Sequence, residues 1–184
     1  MRVCGIVLAA GAGTRYGLPK GLARTSDGTP WVAQAVAMLR AGGCDDAVVV
    51  VGARGREVAR LIPAGVRIVV APDWASGLSA ALRAGLEAAE GADVAVVTPV
   101  DTPDAAPEAV GRVVGALGSA PRDGLARAVY GGRPGHPVAI GANHLPSMVD
   151  SLVGDRGARE YLAAHGAVQV ECADLWSGAD IDAR

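Results

Sequence analysis

Short β-branched apolar runs alternate with alanine-rich stretches along this chain. The runs are Val3–Ala9, Ala47–Val51, Val66–Val70, Val94–Thr98 and Val168–Cys172. Between them, Trp31–Ala41, Arg54–Leu61, Ser79–Ala89 and Ala106–Leu117 have helical composition. The runs are apolar throughout rather than alternating with polar residues, which predicts strands covered on both faces. Thr29-Pro30 predicts a helix start, with the threonine as N-cap and the proline in the first turn. Strand and helix in this rhythm predict an α/β doubly wound sheet with helices on both faces. One segment breaks the rhythm. Leu125–Tyr130 and His136–Ile140 flank the glycine-rich 131–135 stretch and predict a hairpin, so the mostly parallel sheet should be mixed.

Composition narrows the picture. With 184 residues the chain has room for one well-packed domain, expected over 1–184, but is short for two. Half of it is hydrophobic, largely Ala, Val and Leu with no Phe, so small side chains should fill the core. A net charge of −2 makes no electrostatic case for nucleic acid or an anionic membrane. Cys4, Cys44 and Cys172 are odd in number and form no CxxC or Cys/His cluster, which argues against zinc and disulfides and for a reducing compartment. With no long apolar run and no signal-peptide pattern, a cytoplasmic location is expected.

Open α/β sheets bind ligands in the loops beyond the carboxyl ends of their strands. Three such loops carry suggestive residues. In Leu8-Ala9-Ala10-Gly11-Ala12-Gly13-Thr14-Arg15, continuing to Lys20, glycines can let backbone N–H groups approach an anion while Arg15 and Lys20 add charge. Lys20 is the only lysine in a chain with sixteen arginines. Its compact ammonium fits between crowded phosphates where a planar guanidinium does not. The loop is neither a Walker A motif nor a G-x-G-x-x-G fingerprint, since its third glycine, Gly17, falls one place late. After Val94–Thr98, Asp101 in Asp101-Thr102-Pro103 is a candidate Mg²⁺ ligand, or simply a helix cap. In the loop Pro72–Ser79, Gly77 and Ser79 could contact a nucleoside, or Ser76 or Ser79 could only cap the next helix. Further on, His136 starts a strand and Gly154-Asp155-Arg156-Gly157-Ala158-Arg159 opens a helix. There Asp155 could be the cap, while Arg156 and Arg159 could meet an anion. Asp180-Ile181-Asp182 puts two carboxylates on one side of an extended segment, as a metal site or a solvated tail.

Taken in order, these segments resemble the nucleotidyltransferases that build molybdenum cofactor dinucleotides, and most of all the molybdopterin cytidylyltransferase branch. The resemblance runs over nearly the whole chain, from Leu8-Ala9-Ala10-Gly11 through Lys20, Asp73-Trp74 to Gly77, Asp101-Thr102-Pro103, Gly135-His136-Pro137 and Asp155-Arg156 to Asp180-Ile181-Asp182. It implies a Rossmann-like domain with a nucleoside triphosphate on Leu8, Ala9, Ala10, Gly11, Gly13, Arg15, Lys20, Gly77 and Ser79, CTP being favoured over GTP. It implies Mg²⁺ on Asp101 and Asp182, and a phosphorylated pterin near His136, Asp155, Arg156 and Arg159, with a molybdoenzyme as a protein partner. Gly21 and Ala81 depart from the family pattern, and Asp182 is followed only by Ala183-Arg184.

The expected chemistry is attack of an acceptor phosphate on the α-phosphorus of the triphosphate, with Arg15, Lys20 and Asp101 as the catalytic groups. The nucleophile is already anionic, so no general base is needed. Two other readings stay open. One is an NADP-dependent oxidoreductase, with Arg54 beyond the second strand reading a 2′-phosphate. The other is a non-catalytic nucleotide- or cofactor-binding protein.

Overall fold

The computed structural model describes residues 1–183. Seven strands form one sheet: β1 (Val3–Ala9), β2 (Asp46–Val51), β3 (Arg67–Val70), β4 (Val94–Pro99), β5 (Leu125–Tyr130), β6 (Arg133–Gly141) and β7 (Val168–Glu171). Their order across the sheet is β3-β2-β1-β4-β6-β5-β7. Only β6 runs against the rest, pairing antiparallel with both β4 and β5. The α/β mixed sheet anticipated from the apolar runs is therefore present.

Period-two alternation sorts each strand's side chains onto two faces. On one face Val7, Val49, Val51 and Val96 pack with α1 (Trp31–Ala41) and α4 (Pro107–Gly115), through Val32, Val36, Leu39, Val110 and Val113. On the other, Ile6, Val48, Val50, Val97 and Ile140 pack with α3 (Leu78–Ala88), α5 (Leu145–Ser151) and α6 (Arg159–Ala164), through Leu82, Leu86, Met148 and Leu162. β1 and all of β2 beyond Asp46 are apolar because neither face meets water, whereas the edge strands β3 and β7 are largely exposed. A short α2 (Gly55–Ala59) follows β2. Among the described residues no helix is long and apolar enough to cross a membrane. All three cysteines are free and buried.

Three local expectations change. Helix α1 begins at Trp31 with Pro30 in the cap position, so there is no side-chain cap and Thr29 lies one place before the cap. The hairpin turn is only Gly131-Gly132, both with positive φ. Pro134 and Gly135, read as turn, belong to β6: β4 pairs with β6 only from Val138 onward, so Pro134 leaves no ladder bond to β4 unmade. And α6 starts at Arg159, four residues beyond Asp155, too far for Asp155 to cap it.

Candidate active site

The order of strands reverses at β1 and β4, neighbours whose next strands in sequence lie on opposite sides. At such a switch point the two following loops splay apart and leave a crevice. Here the loop after β1 and the loop after β4 form the walls of a cleft of about 520 Å³. Leu8, Ala9, Ala10, Gly11, Gly13, Arg15, Lys20, Gly77, Asp101 and Asp182 all line it. Gly13 holds φ 61°, and a Cβ there would run into the Leu18 carbonyl, so the loop requires glycine. Gly17 closes the turn by donating its N–H to the Gly13 carbonyl at 2.8 Å.

Lys20 lies in a short 3₁₀ turn at the end of this loop. Its Nζ donates to Asp101 Oδ2 and to Asp182 Oδ1, each at 2.8 Å. Asp182 also accepts from Arg15 at 3.4 Å. The tail carrying Asp182 is tied down, since Ile181 donates its N–H to the Asp101 carbonyl at 3.0 Å. Burial pulls the Lys20 pKa down, but its bonds to Asp101 and Asp182 outweigh burial and the net shift is upward. The same hydrogen bond with Lys20, reinforced by the charges of Lys20 and Arg15, lowers the pKa of Asp182.

Asp101, Asp180 and Asp182 each bring a carboxylate oxygen within 4.8 Å of the others. Asp101 Oδ1 is buried and has no hydrogen-bond partner. Such an atom is costly unless something positive meets it. Three hard oxygen donors around an orphaned carboxylate oxygen fit a hard divalent cation such as Mg²⁺. Asp180 joins the expected pair of Asp101 and Asp182.

Two expected residues fall elsewhere. Ser79 is buried on the far side of α3, where its hydroxyl has no partner, and it lines a separate depression beside Arg83 and Glu87. One residue beyond Leu78, which lines the cleft, its side chain points to another side of the helix. Asp155 lines the first cleft rather than joining His136, Arg156 and Arg159. It accepts the Leu78 N–H at 3.2 Å and so caps α3, the role that Ser76 or Ser79 was expected to play. Gly77, with φ 122°, lets the chain pass there, and a Cβ would clash with the Asp155 carboxylate.

His136, Arg156 and Arg159 come together in a second pocket of about 300 Å³, which shares Leu8 and Leu78 with the first. Burial pushes the His136 imidazole pKa down, against the opposing charges of Asp101 and Asp180. Arg156 is an exposed partner of Glu160 at 3.3 Å. Trp74 and Arg127, neither expected as a site residue, line these pockets, and Asp180, expected with Asp182 as either metal site or solvated tail, belongs to the carboxylate cluster. The signals were a tryptophan in a flagged loop, the paired carboxylates of the tail, and an arginine inside an apolar strand. Arg54 is bound to Glu57 on the surface and does not line the cleft.

A glycine-lined cleft facing a lysine–carboxylate cluster across the switch point of a Rossmann-like sheet is the architecture of the nucleotidyltransferase fold. A nucleotidyl transferase from Methanothermobacter thermautotroptrophicus superposes on it with a TM-score of 0.80, at 22% identity, covering 99% of this chain and 92% of that one. The chain belongs to the family of MobA-like NTP transferase domains, whose profile matches residues 5–170. It is also similar to nicotine blue oxidoreductase of Paenarthrobacter nicotinovorans, at 36% identity over 194 aligned positions covering 98% of this chain and 92% of that protein. A mycobacterial structure, the homologue of Mycobacterium tuberculosis Rv0371c from Mycobacterium sp. strain JC1, superposes with a TM-score of 0.85 and 28% identity, covering 100% of this chain and 92% of its own.

Proposed function

We propose that this chain is a Mg²⁺-dependent nucleotidyltransferase that moves a nucleoside monophosphate from a triphosphate to a phosphorylated acceptor and releases pyrophosphate. CMP from CTP is the favoured donor group and molybdopterin the favoured acceptor, on the strength of the motif resemblance. One observation carries the reading: the unique lysine is held between Asp101 and Asp182 opposite a glycine loop.

In this reading the triphosphate lies along the loop Leu8–Arg15, with Arg15 on its outer phosphates. The acceptor's phosphate oxygen attacks the α-phosphorus, and the bond from that phosphorus to the bridging oxygen of the β-phosphate breaks. No proton has to be removed first, which suits a cleft with no histidine among its lining residues. Lys20 balances the charge that develops on the α-phosphate oxygens. Asp101, with Asp182 and Asp180, would hold Mg²⁺, which supplies Lewis acidity at the phosphates when bound. His136, Arg156 and Arg159 would hold the acceptor in the adjoining pocket, close enough for in-line attack.

The test is a thermal-shift panel of CTP, GTP, ATP, UTP and NADPH with and without Mg²⁺, followed by pyrophosphate release with molybdopterin as acceptor. A Mg²⁺-dependent shift led by CTP, with acceptor-dependent pyrophosphate release, is expected. Binding of CTP without turnover on any phosphorylated acceptor would make the protein a binder. The 36% relative named an oxidoreductase favours a second reading, NADP-dependent oxidation–reduction. Tight NADPH binding without Mg²⁺ and no response to any triphosphate would establish it instead.

A further inference from the structure

Arg127 contradicts the pattern of its own strand. It sits in the middle of β5, opposite Val138 of β6 on one side and Gln169 of β7 on the other. Its strand neighbours Leu125, Ala126, Ala128 and Val129 are all buried hydrophobics. Its Nε is shut off from solvent and makes no hydrogen bond. Among the described residues no carboxylate pairs with Arg127. A guanidinium cannot shed its charge, and in this half-buried one the Nε, sealed off without a partner, carries a standing cost that a ligand held on the guanidinium would offset.

Arg127 belongs to the second pocket, whose apolar lining includes Leu82, Val97, Val138, Ile140 and Leu162. Arg127, Arg156 and Arg159 supply three cations there and, among the described residues, no Asp or Glu lines it. Val97, Val138 and Arg127 form one cross-strand row, and His136 lies two residues along β6 from that row, on the same face. The imidazole feels the charges of Asp101 and Asp180, so the His136 end adjoins the carboxylate cluster. Arg127, on β5, stands one strand further from β1 than His136 does. Leu8 on β1 and Arg127 on β5 are three strand spacings apart, about 14 Å between backbones. An apolar lining that carries a planar fork of N–H donors selects a particular shape of molecule.

We propose that Arg127 determines acceptor specificity: it reads the oxygen-bearing edge of a planar heteroaromatic ring, a ring oxo group beside a ring nitrogen, at the end of the acceptor away from its reacting group. The guanidinium fork matches two adjacent acceptor atoms in one plane, and an amino group in place of the oxo would oppose donor to donor. The apolar lining covers the ring's face. Arg127 is a positioning and specificity residue and takes no part in bond breaking. The proposal rests on the transferase reading only in naming which end of the ring reacts.

The test uses two fluorescent rings of the same shape, pterin, which carries the oxo group, and 2,4-diaminopteridine, which carries an amino group there. The full chain should bind pterin roughly tenfold or more tightly than the diamino ring, the scale of one bidentate contact. Arg127→Met should bind the two equally, while its Mg²⁺-dependent shift with CTP and its melting temperature stay at or above those of the parent. Arg127→Lys, which keeps the charge without the fork, should recover only part of the preference. A parent protein that binds neither ring or does not discriminate, or an Arg127→Met variant that still discriminates, overturns the proposal. So does an Arg127→Met variant that melts lower and loses its CTP response, which would make the arginine structural. Failure of the transferase reading shows separately, as a parent protein that discriminates between the rings but ignores CTP and Mg²⁺.

Discussion

Replacing Lys20 by methionine keeps a stem of similar length and removes the ammonium from between two carboxylates. That ammonium lies 2.8 Å from Asp101 Oδ2 and 2.8 Å from Asp182 Oδ1, oxygens that a bound dication would also need. Without nucleotide, cation and lysine therefore compete. The side chains of Lys20 and Asp101 are 15% and 18% exposed, but that of Asp182 is 47% exposed, so solvent screens part of the interaction. Two unit charges about 4 Å apart interact by about 4 kcal/mol at an effective dielectric near 20. Leaving the exposed Asp182 out and discounting the Lys20–Asp101 pair for screening, about 1.5 kcal/mol of this competition survives. That corresponds to about a tenfold change in affinity. Nucleotide-free Lys20→Met should thus bind Mg²⁺ about tenfold more tightly than the parent protein, measured by titration calorimetry at low salt. Its turnover should move the other way, falling by about 100-fold or more as charge stabilisation at the α-phosphate is lost. Unchanged or weaker Mg²⁺ binding in the variant would show that lysine and metal do not share those oxygens, and the site assignment would fall. Lys20→Arg should also lose most turnover, because the planar fork cannot place its charge where the compact ammonium sits.

Other outcomes follow from the same geometry. Asp101→Asn should abolish Mg²⁺-dependent turnover, and Asp182→Asn, at the more exposed ligand, should lower it only partly; Mg²⁺ titration of both variants checks the ranking, and equal loss would refute it. Arg159→Ala should raise the KM of the acceptor more than that of the nucleotide in steady-state kinetics, and equal changes would make the arginine structural. The depressed His136 pKa means that below its ordinary value of 6.5 the unfolded chain takes up a proton that the folded one refuses. Stability from this group is therefore complete above about pH 6.5 and declines as pH falls toward the folded-state pKa. Melting curves of metal-free protein between pH 5 and 8 should show this decline, and His136→Gln should remove it; matching pH profiles for the two proteins would contradict the assignment.

Much of this molecule is written in short stretches of its sequence. Val3–Ala9 and Trp31–Ala41 read from the chain as the elements they form, with the same ends. Unbroken apolar strands told of two covered faces because burial on both sides leaves no polar position to alternate. The glycine loop, Lys20 and Asp101 were legible for a related reason: once strands are located, the rule that ligands gather at their carboxyl ends says where to look. Legibility stops where partners are remote. Lys20 meets Asp101 across 81 residues and Asp182 across 162, and Asp155 caps a helix that starts 77 residues before it. Ser79 faces away from the cleft because a single residue step along a helix turns a side chain by about 100°, and the hydroxyl's direction depends on where α3 docks. Arg127 looked like one charge in a hairpin strand until β6 and β7 closed on both sides of it and left its Nε without a partner. Periodicity is a local property and survives in the linear string. Charge compensation, capping across the fold and the division of one crevice into two pockets depend on which strands become neighbours, and that order, β3-β2-β1-β4-β6-β5-β7, exists only once the whole sheet has assembled.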